Sequence, residues 1–365
     1  MKKHISLILV AALWLGLTAF AWVKPADESS DSERRNLAQF PELSVETLLS
    51  GKFMSKFADY AVDQFPLRET FRGINAQLTY KLLGQKDNND IYVHDGWIAK
   101  MEYPLNETSI NYAVARFDDI YRKYLAGTKC NIVFSWVPDK SYYLADDAGV
   151  LKMDYEKLDE ILSQKLKWAE VVDISDTLTL DSYYRTDTHW RQESIFPVVE
   201  KLASALNIPN PGEKQWAYES ATQDFYGVYY GQAALPMDPE PLNYVTWDGW
   251  QDCTVYFHDT GREMSLYDMS KLSSKDPYEI FLSGNNPLQT IINPHAGNDR
   301  ELVIFRDSFG SSIVPLLAME YSKVTLVDTR YMMPAMIGQY LKFDNQDVLF
   351  LYSTLILNSS TALKK

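Results

Sequence analysis

Apolar and polar positions divide the chain into stretches of different character. Ile5 to Trp22 is an 18-residue run without a charge, preceded by Lys2-Lys3. A basic start, an apolar run and the small-x-small pattern Ala19-Phe20-Ala21 make an export signal. The run is long for a signal core and just short of the roughly 20 residues that a bilayer span needs. Residues 1–25 therefore read as a signal peptide or a retained signal anchor, and the two lysines favour a cytoplasmic N-terminus with an exported body. Residues 26–42 begin polar and charged (Ala26 to Arg35) and read as a linker. Between 43 and 84 helical spacing appears, with Phe53, Phe57, Tyr60 and Ala61 on one face, a break at Phe65-Pro66, and a second helix carrying Phe71, Ile74, Leu78 and Leu82.

Beyond this the pattern alternates. Tyr92 to Ile98 reads as strand, Asp-Gly turn and return strand. Helices are predicted over Asn106–Leu125, Tyr155–Trp168 and Arg191–Leu206, and buried strands over Asn131–Val137 and Ala169–Ile174. From about 209 to 298 turn residues are dense and apolar segments short (Cys253 to Phe257, Met264 to Tyr267), which reads as a partly β insertion. Strands at Leu302–Phe305, Val324–Val327 and Val348–Tyr352 and a helix at Ser311–Met319 then resume the alternation. The fold class predicted is α/β over 43–365, a parallel sheet flanked by helices and completed by segments from both sides of the insertion.

The 365 residues suit one large domain, or one domain with an insertion. The net charge of -14 argues against a nucleic-acid binder, which needs basic stripes against phosphate. Aromatic residues are abundant, and Trp216, Tyr226, Tyr229, Tyr230, Trp247 and Trp250 gather in the insertion. Such rings bind sugars or simply fill a core. Cys130 and Cys253 could form one disulfide outside the cell or stay as free thiols. No spacing of His, Cys and acids makes a metal site; His258-Asp259 with His295 is a weak set.

Two short segments carry chemistry. Tyr184-Arg185-Thr186-Asp187-Thr188-His189-Trp190 follows a strand, and an Asp two residues before a His can orient the imidazole. Arg306-Asp307-Ser308-Phe309-Gly310 runs from a buried strand into a helix, so the serine sits at an elbow beside free helix N–H groups. Each has a plainer reading, a capped turn and a helix N-cap. Together, at the carboxyl edge of one sheet, Ser308, His189 and Asp187 read as nucleophile, base and orienting acid.

As a set, these segments resemble a known family. They join Arg34-Arg35-Asn36-Leu37-Ala38-Gln39-Phe40-Pro41, Asp63-Gln64-Phe65-Pro66-Leu67-Arg68, Tyr278 to Asn285 and Val327-Asp328-Thr329-Arg330-Tyr331. The chain is similar over nearly its whole exported body to the DHHW family of exported bacterial proteins, related to the SGNH-like domain of alginate O-acetyltransferases. Thr188 stands where the family's first His would be, leaving the Asp-Thr-His-Trp form of the acetyltransferase branch. The resemblance implies an SGNH-type fold and a Ser308–His189–Asp187 triad. It implies oxyanion donors at the Ser308 N–H and at Gly284 or Asn285, and substrate contact by Arg330, with a structural ion pair to Asp328 as the alternative. Tyr184 and Arg185 would line the pocket, and Gly227 is a further oxyanion candidate. The activity implied is O-acyl transfer, with acetyl the expected group, to a surface or secreted polysaccharide, without cofactor and with a membrane acyltransferase as donor. Hydrolysis of glycan esters by the same residues, or glycan binding without catalysis, would use the same surface.

Overall fold

The computed structural model describes residues 2–30 and 32–364. They form two compact units, one running to Asn88 and including Tyr230–Pro236, the other comprising Asn89–Tyr229 and the chain from Met237.

The second unit is built on an eight-stranded sheet. Its strands are β1 (Asn131–Val137), β2 (Glu170–Val171), β3 (Thr254–Phe257), β4 (Glu263–Met264), β5 (Leu288–Ile292), β6 (Glu301–Arg306), β7 (Lys323–Val327) and β8 (Asp347–Ser353). The order is β4-β3-β5-β7-β6-β8-β1-β2. The pairings from β7 through β6, β8 and β1 to β2 are parallel. Those from β4 through β3 and β5 to β7 are antiparallel. Segments from both sides of the insertion do complete the sheet, and the insertion itself supplies the antiparallel edge.

The central strands are buried on both faces, and their residues alternate between two cores. Val133, Leu302, Ile304, Leu349 and Leu351 join the core under the helices Phe196–Ala205 and Gly310–Ala318. Phe134, Trp136, Val303, Phe305, Val348 and Phe350 join the core under Glu107–Ile120 and Tyr155–Lys165. This period of two on a doubly covered sheet explains the unbroken apolar runs in the sequence. The insertion also makes a separate antiparallel pair, Ala217–Phe225 with Glu240–Thr246. Its rings serve packing, since Trp247 is buried and Trp216 and Trp250 lie against the first core. The turn predicted at Asp95-Gly96 joins Ile91–His94 to Trp97–Lys100, both turn residues having positive φ as a tight hairpin requires. Cys130 and Cys253 are both free thiols.

The sequence-predicted strand Ala169–Ile174 shrinks to two residues, because the chain leaves the sheet edge to build the loops under the site. The helix predicted from Arg191 starts as a short 3-10 turn and becomes α only at Phe196, with Pro197 in its first turn. Ser141–Ala148 is a helix that the sequence pattern does not reveal.

In the first unit, Lys2–Val23 is a helix whose Ile5–Val23 segment is long and apolar enough to cross a membrane, with none of it buried. Helices Val45–Leu49, Lys52–Asp63 and Arg68–Gln77 follow, the last running into the π turn Leu78–Leu82. The break falls at Gln64 to Leu67, around the Phe65-Pro66 step.

Candidate active site

Parallel strands end on one edge, and the carboxyl ends of β1, β6, β7 and β8 deliver Lys140, Ser308, Arg330 and Ser353 there. Beyond Arg306 the chain turns sharply into the helix Gly310–Ala318. Asp307 fixes this turn, with one carboxylate oxygen accepting from Phe309 N (3.0 Å) and the other from Ser353 N (2.7 Å). The N–H groups of Gly310 and Ser311 donate back to Asp307 and Ser308 carbonyls. The Ser308 N–H has no acceptor among the described residues.

The segment bearing Asp187 and His189 is a loop closed by a bridge between Tyr183 and Trp190. Nδ1 of His189 lies 2.6 Å from Asp187 Oδ1, and its Nε2 lies 2.8 Å from Ser308 Oγ. An anionic Asp187 accepts the hydrogen bond from Nδ1–H and so holds the ring in the tautomer whose Nε2 accepts from the serine hydroxyl. Asp187 is fully buried, and also accepts from His189 N (3.0 Å) and Val228 N (2.8 Å). The imidazole stacks on Tyr278 at 3.9 Å with the planes 6° apart. The Tyr278 hydroxyl and the Trp190 indole N–H both reach Ser312 Oγ at 2.8 Å, so ring plane and nucleophile helix are tied together.

The structure distinguishes among the remaining candidates. The Gly284 N–H donates to Phe281 O (3.1 Å), so it is not free to hold an oxyanion; its carbonyl instead accepts from Arg306 Nη2 (3.2 Å). Asn285 accepts at Oδ1 from Arg306 Nη1 (3.3 Å) and Arg330 Nη2 (3.0 Å). Two cations on the oxygen leave the amide N–H₂ as the outward donor. Arg330 also forks onto buried Asp328, with Nε–Oδ1 at 2.9 Å and Nη2–Oδ2 at 2.6 Å. Burial works against its charge, and the Asp328 fork more than offsets this, so its pKa is raised. Tyr184 is fully buried, wedged edge-on against Phe225 and Tyr278, so it lies beneath the site rather than lining it. Arg185 is half-buried, its guanidinium on Pro239 O (3.4 Å). The Gly227 N–H is committed to Thr186 Oγ1 (2.9 Å), which removes it as an oxyanion donor.

His258 bonds Thr290 and His295 pairs with Asp252, so the two rings serve different partners. No group of three metal-ligating side chains occurs among the described residues.

Nothing in the sequence marks Glu240. Its buried carboxylate accepts from Arg185 N (3.0 Å), Thr186 N (2.9 Å), Thr186 Oγ1 (2.8 Å) and Arg191 Nη2 (2.6 Å). It clamps the loop immediately before Asp187. In Glu240→Gln the amide faces donors in either orientation, so stability should fall by roughly 3–5 kcal/mol, as when a buried pair loses a partner. Urea unfolding measures this; a loss below about 1 kcal/mol would mean that the loop is held by other contacts.

Lys140 is the second such residue. Its buried ammonium donates to Tyr184 O (3.0 Å) and Arg185 O (3.1 Å) and lies 5.0 Å from the Tyr229 ring centroid. Burial pulls its pKa down to about 7, against the opposite pull of Asp187, Glu240 and Asp139. In the unfolded chain a lysine titrates near 10.4. Between about pH 7 and 10 the unfolded state therefore binds more protons, and stability rises with pH there. The melting temperature of the parent should climb across this window relative to Lys140→Met. Parallel curves would exclude a depressed lysine.

The sheet, its helices and the loops at its carboxyl edge define an SGNH-like α/β protein. No family model and no curated protein matches the chain. Solved structures do: a DHHW family protein from Eubacterium siraeum shares 20% identity over 76% of this chain and 94% of its own, with a TM-score of 0.59. PatB1 of Bacillus cereus, solved with a sulfonyl adduct, shares 18% identity over 77% of this chain and 99% of its own, at 0.62. The O-acetyltransferase domain of Pseudomonas putida AlgJ lies further off, at 12% identity over 73% of this chain and 92% of its own, and 0.45. The resemblance read from the motifs thus meets a solved DHHW protein of the same fold.

Proposed function

We propose that this protein is an exported serine O-acyltransferase that places acetyl groups on a cell-surface or secreted polysaccharide. The observation that carries the proposal is the continuous line Asp187–His189–Ser308, at 2.6 and 2.8 Å, ending on a half-buried hydroxyl at the carboxyl edge of the sheet.

In the reaction Ser308 Oγ attacks the acyl carbonyl and His189 Nε2 takes its proton. The charge on the carbonyl oxygen falls to the Ser308 N–H and the Asn285 amide N–H₂, both of which lack acceptors among the described residues. Collapse expels the donor's leaving group, which takes the proton from His189. A sugar hydroxyl then attacks the acyl-serine and gives its proton to His189, which passes it to the departing Ser308 Oγ, so the sugar ester is released with Ser308 and His189 restored. Water in place of the sugar would make the same residues an esterase. Export rests on the apolar N-terminal helix, with the donor assigned to a membrane acyltransferase; residues 1–25 are taken as a retained anchor, with the exported unit beyond it.

The test is the intact mass of the protein after incubation with an activated acetyl ester, beside Ser308→Ala. One acetyl adduct in the parent alone supports the proposal, and its passage to an added polysaccharide rather than to water establishes transfer. Equal masses for both proteins, with no ester turned over, would leave a glycan-binding protein.

A further inference from the structure

The described helices of the first unit bury almost nothing apolar. Val45–Leu49 has no buried residue, and in Lys52–Asp63 the one buried residue is Asp63. Val45, Leu49, Met54, Val62, Leu82 and Leu83 are between 62% and 85% exposed. The helix Lys52–Asp63 is nonetheless sharply two-sided. At 100° per residue, Phe53, Met54, Phe57, Ala58, Tyr60, Ala61 and Val62 fill one arc of roughly 200°, and Lys52, Ser55, Lys56, Asp59 and Asp63 fill the rest. Part of that arc holds Phe40, whose ring meets Phe53, Phe57 and Tyr60 edge-on at 5.3–6.2 Å while staying 60% exposed. A face of this size is stable only when something apolar covers it.

Two further observations say what covers it. The first is tethering. Just past the apolar helix, Lys24 pairs with Asp27, whose backbone exchanges two 2.8 Å hydrogen bonds with the side chain of Gln64. Arg35 forks onto Asp63 at 2.6 and 2.8 Å, and Ala38 N donates to the same carboxylate (2.8 Å). From Lys24 to Asp27 the chain can reach at most about 10 Å. The end of the amphipathic helix is thus pinned beside the exit of a helix of membrane-spanning length, where Trp22 and Lys24 are typical interfacial residues. The second is charge. Past the apolar helix, residues 24–84 carry eight basic and nine acidic side chains, whereas 85–365 carry twenty-five basic and forty acidic. The segment beside the apolar helix is the one spared the acidic excess that anionic lipid would repel.

We propose that residues 40–83 form a lipid-facing platform, lying in the bilayer interface next to the N-terminal helix. This rests on the reading of that helix as a retained anchor. Lys52, Lys56 and Lys81, all exposed, reach toward headgroup phosphates while the apolar arc enters the acyl boundary.

The test uses the full chain, with Cys130 and Cys253 replaced by serine, in vesicles of phosphatidylethanolamine and phosphatidylglycerol. Single cysteines at Leu49→Cys, Val62→Cys, Leu15→Cys and Asn298→Cys carry a bimane probe, read against lipids bearing nitroxides at shallow and deep positions. Probes at 49 and 62 should be quenched most by the shallow label, at depths of about 5–10 Å, the probe at 15 by the deep label, and that at 298 by neither. If 49 and 62 behave like 298 while 15 is quenched, the anchor stands and the platform is overturned, leaving the face to a protein partner. If 15 also escapes quenching, both readings fall. Quenching at 49 and 62 without 15 overturns the proposal as stated, because the face would then meet lipid with no membrane-spanning helix beside it.

Discussion

Ser308→Ala and His189→Ala are each expected to lower acyl-ester turnover by roughly 10⁴–10⁶-fold, because residues that act as one relay fail together when any is removed. The melting temperature should move little in Ser308→Ala, whereas His189→Ala also empties a buried ring site on Tyr278 and leaves Asp187 without its partner, so it should melt lower. Ser308 is half-buried, and its Oγ has one partner among the described residues, the imidazole. Asp187→Asn is the more informative variant, expected to cost roughly 10³–10⁴-fold. The carboxylate faces donors on both oxygens, His189 Nδ1 and N on one and Val228 N on the other. An amide placed there points N–H₂ at an N–H in either flip, so it cannot keep both the ring tautomer and the loop. Steady-state hydrolysis of an activated acetyl ester measures all three. A double variant of Ser308 and His189 no worse than either single one is the signature of a relay, whereas additive losses would mean that the two act separately. An Asp187→Asn protein with full activity would remove the acid from the reaction.

The parts of this site that the sequence discloses are those in which chemistry and position are local. Asp187 and His189 are two residues apart, so any loop that buries the acid brings the ring to it. Ser308 follows a strand whose apolar run is plain, and the strand-to-helix turn is dictated by Asp307. Asn131–Val137 is legible to the residue because both of its faces are buried, making its apolar run continuous. What stays hidden depends on segments far apart in the chain. Tyr278 looks like any core tyrosine, yet it is the plate under His189. Glu240 sits 53 residues beyond Asp187 in a turn-rich stretch, where nothing distinguishes it from a surface acid. Strand β5 escapes a sequence reading because it lies inside what looks like a loop-rich insertion; it gains its place only by pairing with β3 and β7. The glycines mislead for a related reason. A glycine before an asparagine suggests a free N–H, but whether that N–H is free depends on the turn around it. At Gly284 the turn uses it. Positive φ explains the residue instead, together with a Glu279 side chain that would lie 2.7 Å from any added Cβ.

Gly227 turns the same lesson into the second large expectation. A Cβ added there would lie 2.2 Å from Asp187 Cβ, 2.3 Å from its Cα and 2.4 Å from its N, all far inside contact distance and mostly backbone. Neither segment can yield cheaply. Gly227 N is held by Thr186 Oγ1 and Val228 N by Asp187 Oδ2, while Glu240 grips the backbone of Arg185 and Thr186. The clash must be relieved by moving Asp187 away from His189 or by tearing the 227–228 strap from it. Gly227→Ala should therefore lower turnover by roughly 10²–10³-fold, the scale on which a misplacement of about 1 Å acts, and destabilise the unit by about 1–3 kcal/mol through overpacking. The two effects separate by where they are read. Gly73→Ala, in the first unit, meets its nearest atom at 3.6 Å and should leave turnover unchanged, serving as the control for a glycine whose loss merely perturbs packing. If Gly227→Ala keeps full turnover, the strap is compliant, and the acid is positioned by Glu240 and its own loop alone.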